Sequence, residues 1–213
     1  MSQARGKPPV QARGADTRRR VVTATSELFR HQGFAATGMK QIAEASAAPF
    51  GSVYHFFPGG KEELGAEVIR VSGQVYLDLI ALFFDAADTA EAGTRDFFDG
   101  AAAVLRETDY TDACPIATVA LEVASTSETM RAATAEVFES WIEDLTRRMQ
   151  TAGVGAKRAR ELAVVGFSLI EGAFILSRAT RDATHVETAG AAMVELVRAE
   201  LERVAESGPR VKQ

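Results

Sequence analysis

The stretch MKQIAEASAAPFGSVYHFFPGGKEEL, Met39–Leu64, decides the fold. Met39–Ala45 has helical spacing with Ile42 facing inward, and Thr37 or Gly38 stands at its cap position. Ser46–Ala48 then forms a turn of about three residues. Pro49 suits the first turn of a second helix, which ends near Phe57 at the Pro58-Gly59-Gly60 break. Two short helices joined this tightly predict a helix-turn-helix, in which the second helix enters the major groove of DNA. Ala48, where the turn meets that helix, is small enough to allow approach to base edges, while Ser52, Tyr54 and His55 on it can donate to phosphate.

Upstream, Val21, Leu28 and Phe29 mark one face of a helix over Thr17–Gln32. Asp16 or Thr17 would cap its start, and Gly33 sits where a terminating glycine belongs. Arg18, Arg19 and Arg20 would fall in its first turn, where the dipole opposes a cation by roughly 0.3–1 kcal/mol each. Phosphate oxygens would offset that cost; a merely solvated charge run is the alternative. Downstream, apolar periodicity predicts helices over Lys61–Ala86, Ala90–Glu107, Pro115–Ser125, Glu128–Ala152, Ala156–Arg181 and His185–Glu206. No run of alternating β-branched residues suggests a strand, so the expected class is all-α. The expected division is a flexible basic arm over 1–15, a helix-turn-helix domain over 16–60, a larger helical domain over 61–208 and a flexible tail over 209–213.

The 213 residues carry a net charge of −5, but its placement is uneven. Residues 1–70 hold +4 and the remainder −9, which suggests that the two parts meet different partners, with chance asymmetry as the alternative that position must decide. The single cysteine excludes an intramolecular disulfide framework and a cysteine-rich zinc site. Met1–Gly14 has basic residues without an apolar run after them, and Leu162–Leu176, interrupted by Ser168 and Glu171, reads as too short to span a bilayer. A cytoplasmic protein without membrane contact is expected. His31, His55 and His185 are scattered, no metal-ligand spacing or Gly-x-Ser-x-Gly elbow occurs, and Gly59-Gly60-Lys61-Glu62 lacks the Ser/Thr of a phosphate loop. Neither an enzyme nor a cofactor is expected.

Residues 17–64 resemble the DNA-binding region of the TetR family of transcriptional regulators. Arg20, Ala24, Leu28, Phe29, Gly33, Phe34, Thr37, Ile42, Ala43, Gly51, Val53, Tyr54, Phe57, Lys61 and Leu64 carry the likeness. The run from Ala48 to Leu64, with CPIATVALE at Cys114–Glu122, is similar to the LmrA/YxaF-like subgroup, typified by lincomycin- and flavonoid-responsive repressors. The resemblance implies phosphate contacts from Thr37, Tyr54, His55 and Lys61 and base-edge contacts from Pro49, Phe50 and Ser52. Arg18, Arg19, Arg20, Lys40 and Ala48 complete the candidate DNA-binding set. Two positions depart from the family pattern: Ala47 replaces a common turn glycine, and Phe50 replaces a basic residue. Phe50 could pack on a thymine methyl or simply face solvent.

The resemblance further implies a palindromic operator, a small hydrophobic or aromatic effector that releases a repressor from it, and a homodimer formed by the last two long helices. Leu162, Val165, Leu169, Ala173 and Leu176 offer a seam for that contact, with Met193, Leu196, Val197, Leu201 and Val204 beside it; the subunit's own interior is the other reading. Phe97, Thr118, Glu122, Phe138, Trp141, Phe167, Glu171 and Phe174 are the candidate effector-binding residues. Glu171 would either pair with a nearby cation or face a ligand, since burying a lone carboxylate is costly. Cys114 reads as a small buried hydrophobe or a redox sensor. The alternative function is a helical interaction module without specific DNA binding.

Overall fold

The computed structural model describes residues 10–111 and 114–207, and all regular structure among them is α-helical. The helices are α1 (Val10–Gln32), α2 (Met39–Ala45), α3 (Phe50–Phe56), α4 (Gly60–Ala86), α5 (Ala90–Glu107), α6 (Pro115–Val123), α7 (Glu128–Thr151), α8 (Ala156–Thr180) and α9 (Thr184–Ser207). Local signals set many of their ends. Gly33, at φ +79°, closes α1; Thr89 and Ser127 accept from Ala92 N–H (3.1 Å) and Met130 N–H (3.4 Å) at the starts of α5 and α7.

The first helix departs from expectation. α1 begins at Val10, so the segment expected to be a flexible arm is helical from that residue; residues 1–9, and the expected tail at 209–213, lie outside the described residues. The physical reason is visible at Thr17. Its hydroxyl donates back to the Arg13 carbonyl (2.9 Å), the bond of a mid-helix threonine instead of a cap. Arg18, Arg19 and Arg20 therefore stand in the third turn, away from the positive helix end.

Val21 and Phe29 of α1, Ile42 of α2, Val53 of α3, Phe57 just after α3 and Leu64 of α4 are all buried and unite the first three helices with the start of α4. The other helices pack as a second unit in which α4 lies on α5 and α7, α5 on α9, and α8 between α7 and α9. At Gly73 the backbone of α4 comes so close to α7 that any Cβ would collide with Val137. That approach lets Trp141 Nε1–H donate to the Gly73 carbonyl at 2.9 Å inside the core.

Helix α8 has two apolar sides, and the expected seam mixes them. Leu162, Ala173, Met193 and Val197 are buried within the subunit, whereas Val164, Val165, Ile175, Leu176 and Leu196 are exposed. The exposed stripe thus runs two to three residues off the Leu162–Ala173 row. Over an 18-residue window α8 reaches a mean hydropathy of 1.6, long and apolar enough by length and composition alone to cross a membrane, as core helices also can be. Its Leu162, Gly166 and Ile170 side instead forms part of the core.

Candidate nucleic-acid interface and effector cavity

The helix-turn-helix is held from α1. Arg20 Nη1 donates to the carbonyls of Ser46 (2.7 Å) and Ala47 (3.2 Å), filling acceptors at the end of α2. Asp16 holds both Arg19 (2.6 Å) and Arg20 (3.3 Å) in place. Between the helices Ala47 adopts φ +49°, the left-handed conformation that disfavours a side chain by roughly 1–2 kcal/mol. Glycine would relieve that strain but widen the unfolded ensemble. We therefore expect Ala47→Gly to stabilise the protein by about 0.5–1 kcal/mol in denaturant titration; a loss of stability would contradict the strain argument.

Helix α3 buries Val53 and turns Pro49, Phe50, Gly51, Tyr54 and His55 outward. Phe50 (49% exposed) and Tyr54 (42%) stand edge to face with centroids 5.2 Å apart, a stiff aromatic ridge. Lys40 of α2 and Arg19 of α1 are exposed as well. Other candidates prove to be occupied. Arg18 pairs with Glu67 (2.9 Å) and lies over the Phe57 ring; Lys61 donates to the carbonyls of Phe34 and Thr37, both at 3.0 Å. Thr37 is buried and donates to the Gly33 carbonyl (2.7 Å), Ala48 is buried, and Ser52 is half-buried. Thr37, Arg20 and Lys61 are therefore engaged in building the unit, while the Arg20 side chain stays part-exposed. Gly51 was absent from the expected set. Its helical offset of four from His55 and three from Tyr54 was the available signal.

Behind the reading unit lies a cavity of about 540 Å³ between α1, α4, α5, α7 and α8. Trp141, Phe167, Phe97 and Phe174 form aromatic wall, and Glu171 places a carboxyl in it. Trp141 stacks on Phe167 with centroids 5.8 Å and planes 28° apart. Val71, Val75 and Leu79 of α4 and Val104 of α5 are exposed although they line it, so they mark its open side. Burial pushes the Glu171 carboxyl up to about 7, and the Cys114 thiol beside it acts slightly in the other direction. Cys114 is itself buried and pushed well above its ordinary value, by burial first and by the Glu171 charge next. A thiol so protonated is a poor redox nucleophile, which favours the packing role for Cys114.

Three expected effector contacts lie outside this cavity. Thr118 donates to the Cys114 carbonyl at 3.0 Å, and Phe138 packs edge-on against Trp141 at 5.6 Å. Glu122 faces the reading unit instead: its carboxylate accepts the Ala35 N–H at 2.8 Å and fills the space where a Gly33 side chain would lie. Helix α6 thus touches the cavity through Cys114 at one end and the α1–α2 connection through Glu122 at the other. Helix α4 makes the second connection. Its Glu62 accepts from the Ser127 hydroxyl (2.8 Å), while its Glu67 pairs with Arg18.

Comparison with known proteins decides the family. Residues 21–68 match the model for bacterial regulatory proteins of the tetR family, and residues 90–192 match the C-terminal domain of LmrA/YxaF-like transcriptional regulators. The YxaF regulator of Bacillus subtilis is 34% identical over 169 residues, covering 79% of this chain and 88% of that one. This chain belongs to the TetR family of transcriptional regulators. The LmrA regulator of Bacillus subtilis is 30% identical over 79% of this chain and 90% of its own. Among solved structures, a regulatory protein TetR from Rhodobacter sphaeroides superposes with a TM-score of 0.74 at 21% identity, over 84% of this chain and 98% of that one. A TetR regulator from Legionella pneumophila gives 0.72 at 24%, over 83% and 94%. These likenesses to solved structures agree with the all-α fold seen here. As a TetR-family regulator the chain carries its helix-turn-helix in α2 and α3, and no His/Cys/Asp/Glu cluster suited to a metal occurs among the described residues.

Proposed function

We propose that the protein is a homodimeric repressor that binds a palindromic operator and is released from it by a small hydrophobic or aromatic effector. The observation that carries this reading is α6, which joins an aromatic cavity at Cys114 to the reading unit at Glu122. An effector that displaces the Cys114 end would pull Glu122 from Ala35 and free the α1–α2 connection to tilt. Shifting occupancy from 99:1 to 1:99 needs about 5.5 kcal/mol of differential binding between the two arrangements.

Dimerisation is supported by the exposed stripe of Val164, Val165, Ile175 and Leu176 on α8 and Leu196 on α9, since water-facing apolar residues in a row are unfavourable unless covered. Covering them in pairs would also account for the apolar length of α8 without a membrane, in keeping with a cytoplasmic regulator. A two-fold dimer presents its two α3 helices about one turn of DNA apart. In the reading face Phe50 would meet base edges, and Tyr54, Lys40, Arg19 and His55 the flanking phosphates. Selection of bound duplexes from a random pool tests the reading, with a two-fold-symmetric consensus as the expected result.

A further inference from the structure

The cavity chemistry narrows the class of effector, an inference that rests on the proposed ligand-responsive reading. We propose that the cavity takes a lipophilic aromatic amine as its cation, with the ammonium seated against the Glu171 carboxylate.

Three observations support this assignment. Glu171 sits in the cavity wall on α8 among Phe167, Ile170 and Phe174, so its carboxyl has been moved from water into largely apolar surroundings. Among the described residues no lysine or arginine forms an ion pair with it, and the neutral Cys114 thiol lies in the same wall. A bound cation would supply the missing counter-charge where the low dielectric makes it most effective. The aromatic walls add the second half of the site. The stacked Trp141 and Phe167, with Phe97 and Phe174, offer flat faces that attract both an aromatic ring and a positive charge.

The other ionisable groups on the walls are few. Tyr76 comes from α4, Glu27 and Arg30 from α1, and Cys114 from the start of α6; the linings from α5 and α7 are uncharged. Glu171 is the acid on the aromatic side, and its raised value has a consequence. Near neutral pH the empty site is partly protonated, and a cation must expel that proton to bind. Affinity for a permanently charged amine therefore rises with pH through about 7 and levels off above it, by up to about tenfold per unit on the acid side.

The test compares 9-aminoacridine, a cation near neutral pH, with acridine, the same ring system largely neutral there. Binding is read from quenching of Trp141, the single tryptophan in the chain, on the purified full-length protein. The wild type is expected to bind the amine at least about tenfold more tightly than acridine near pH 8. Glu171→Gln should bring the two affinities within about twofold, leave acridine binding unchanged and abolish the pH dependence. Glu171→Met, close in volume, serves the same comparison if the glutamine variant melts early. Equal affinities in the wild type, a preference that survives both substitutions, or no quenching by either compound would each overturn the amine site. Release of operator DNA is measured separately. An amine bound through Glu171 that leaves DNA affinity unchanged keeps the amine site and refutes the effector reading instead.

Discussion

Replacing Trp141 with alanine is expected to lower the unfolding free energy by about 3–5 kcal/mol. The indole is 2% exposed and is the largest fully buried side chain. It stacks on Phe167, meets Phe138 edge-on and approaches Tyr76 at 6.0 Å, so its loss removes contacts on three sides. It also spans from α7 to the Gly73 carbonyl of α4, where those helices pack tightly. The void cannot close easily, because Gly73 already lies against Val137. Trp141→Phe keeps most of the ring and gives up the hydrogen bond, with a cost of about 1 kcal/mol beyond the small volume change. Urea titration checks both. A loss under about 1 kcal/mol for the alanine variant would show that the α4–α7 packing carries less than the geometry indicates.

The largest effect on DNA binding is expected from Gly51→Glu. Gly51 faces outward from α3, and a side chain there meets nothing within 4 Å. A glutamate in the first turn also suits the positive helix end, so stability should hold or rise slightly. Against DNA the same carboxylate would meet phosphate and the electronegative groove floor, once in each half-site. At about 1.4 kcal/mol per subunit the dimer loses roughly 100-fold in affinity. Fluorescence anisotropy on the operator reads the loss and thermal melting the unchanged fold. Unaltered affinity would move the reading surface away from α3.

The sequence made the helical order readable because nearly every long helix has a one-sided apolar period and a clear break. Pro115 marks the start of α6, Thr89 and Ser127 cap α5 and α7, and Pro58-Gly59-Gly60 separates α3 from α4. The left-handed turn at Ala47 followed from its place between two short helices, where the family usually has glycine. The start of α1 was hidden because Asp16 and Thr17 have the chemistry of a cap, yet Asp16 holds arginines and Thr17 bonds backwards to Arg13. The roles of cations were hidden for a related reason. A guanidinium satisfies backbone carbonyls as readily as phosphate, and only the position of the Ser46–Ala47 turn shows that Arg20 does the former.

In the larger domain, helical spacing cannot say which of two apolar sides of α8 looks inward. Leu162 and Ala173 point into the core while Val164 and Ile175 point out, and both rows are equally apolar. The same limit separated Trp141 and Phe167, which line the cavity, from Phe138, which does not. Glu122 was noticed as a charge in an apolar run. Its bond to Ala35, 87 positions away, depends on tertiary packing that no local pattern encodes.

The charge division fits this arrangement. The positive first 70 residues contain the α3 reading face, and the negative remainder would turn the body of the molecule away from a phosphate backbone. The most direct measurement is therefore selection of bound duplexes from a random pool by the full-length protein. The account predicts a two-fold-symmetric consensus with half-sites about 10 base pairs apart, or a multiple of that spacing, and affinity that falls steeply with salt. A pool that returns no consensus, or a single half-site without symmetry, would contradict a dimer reading DNA through α3.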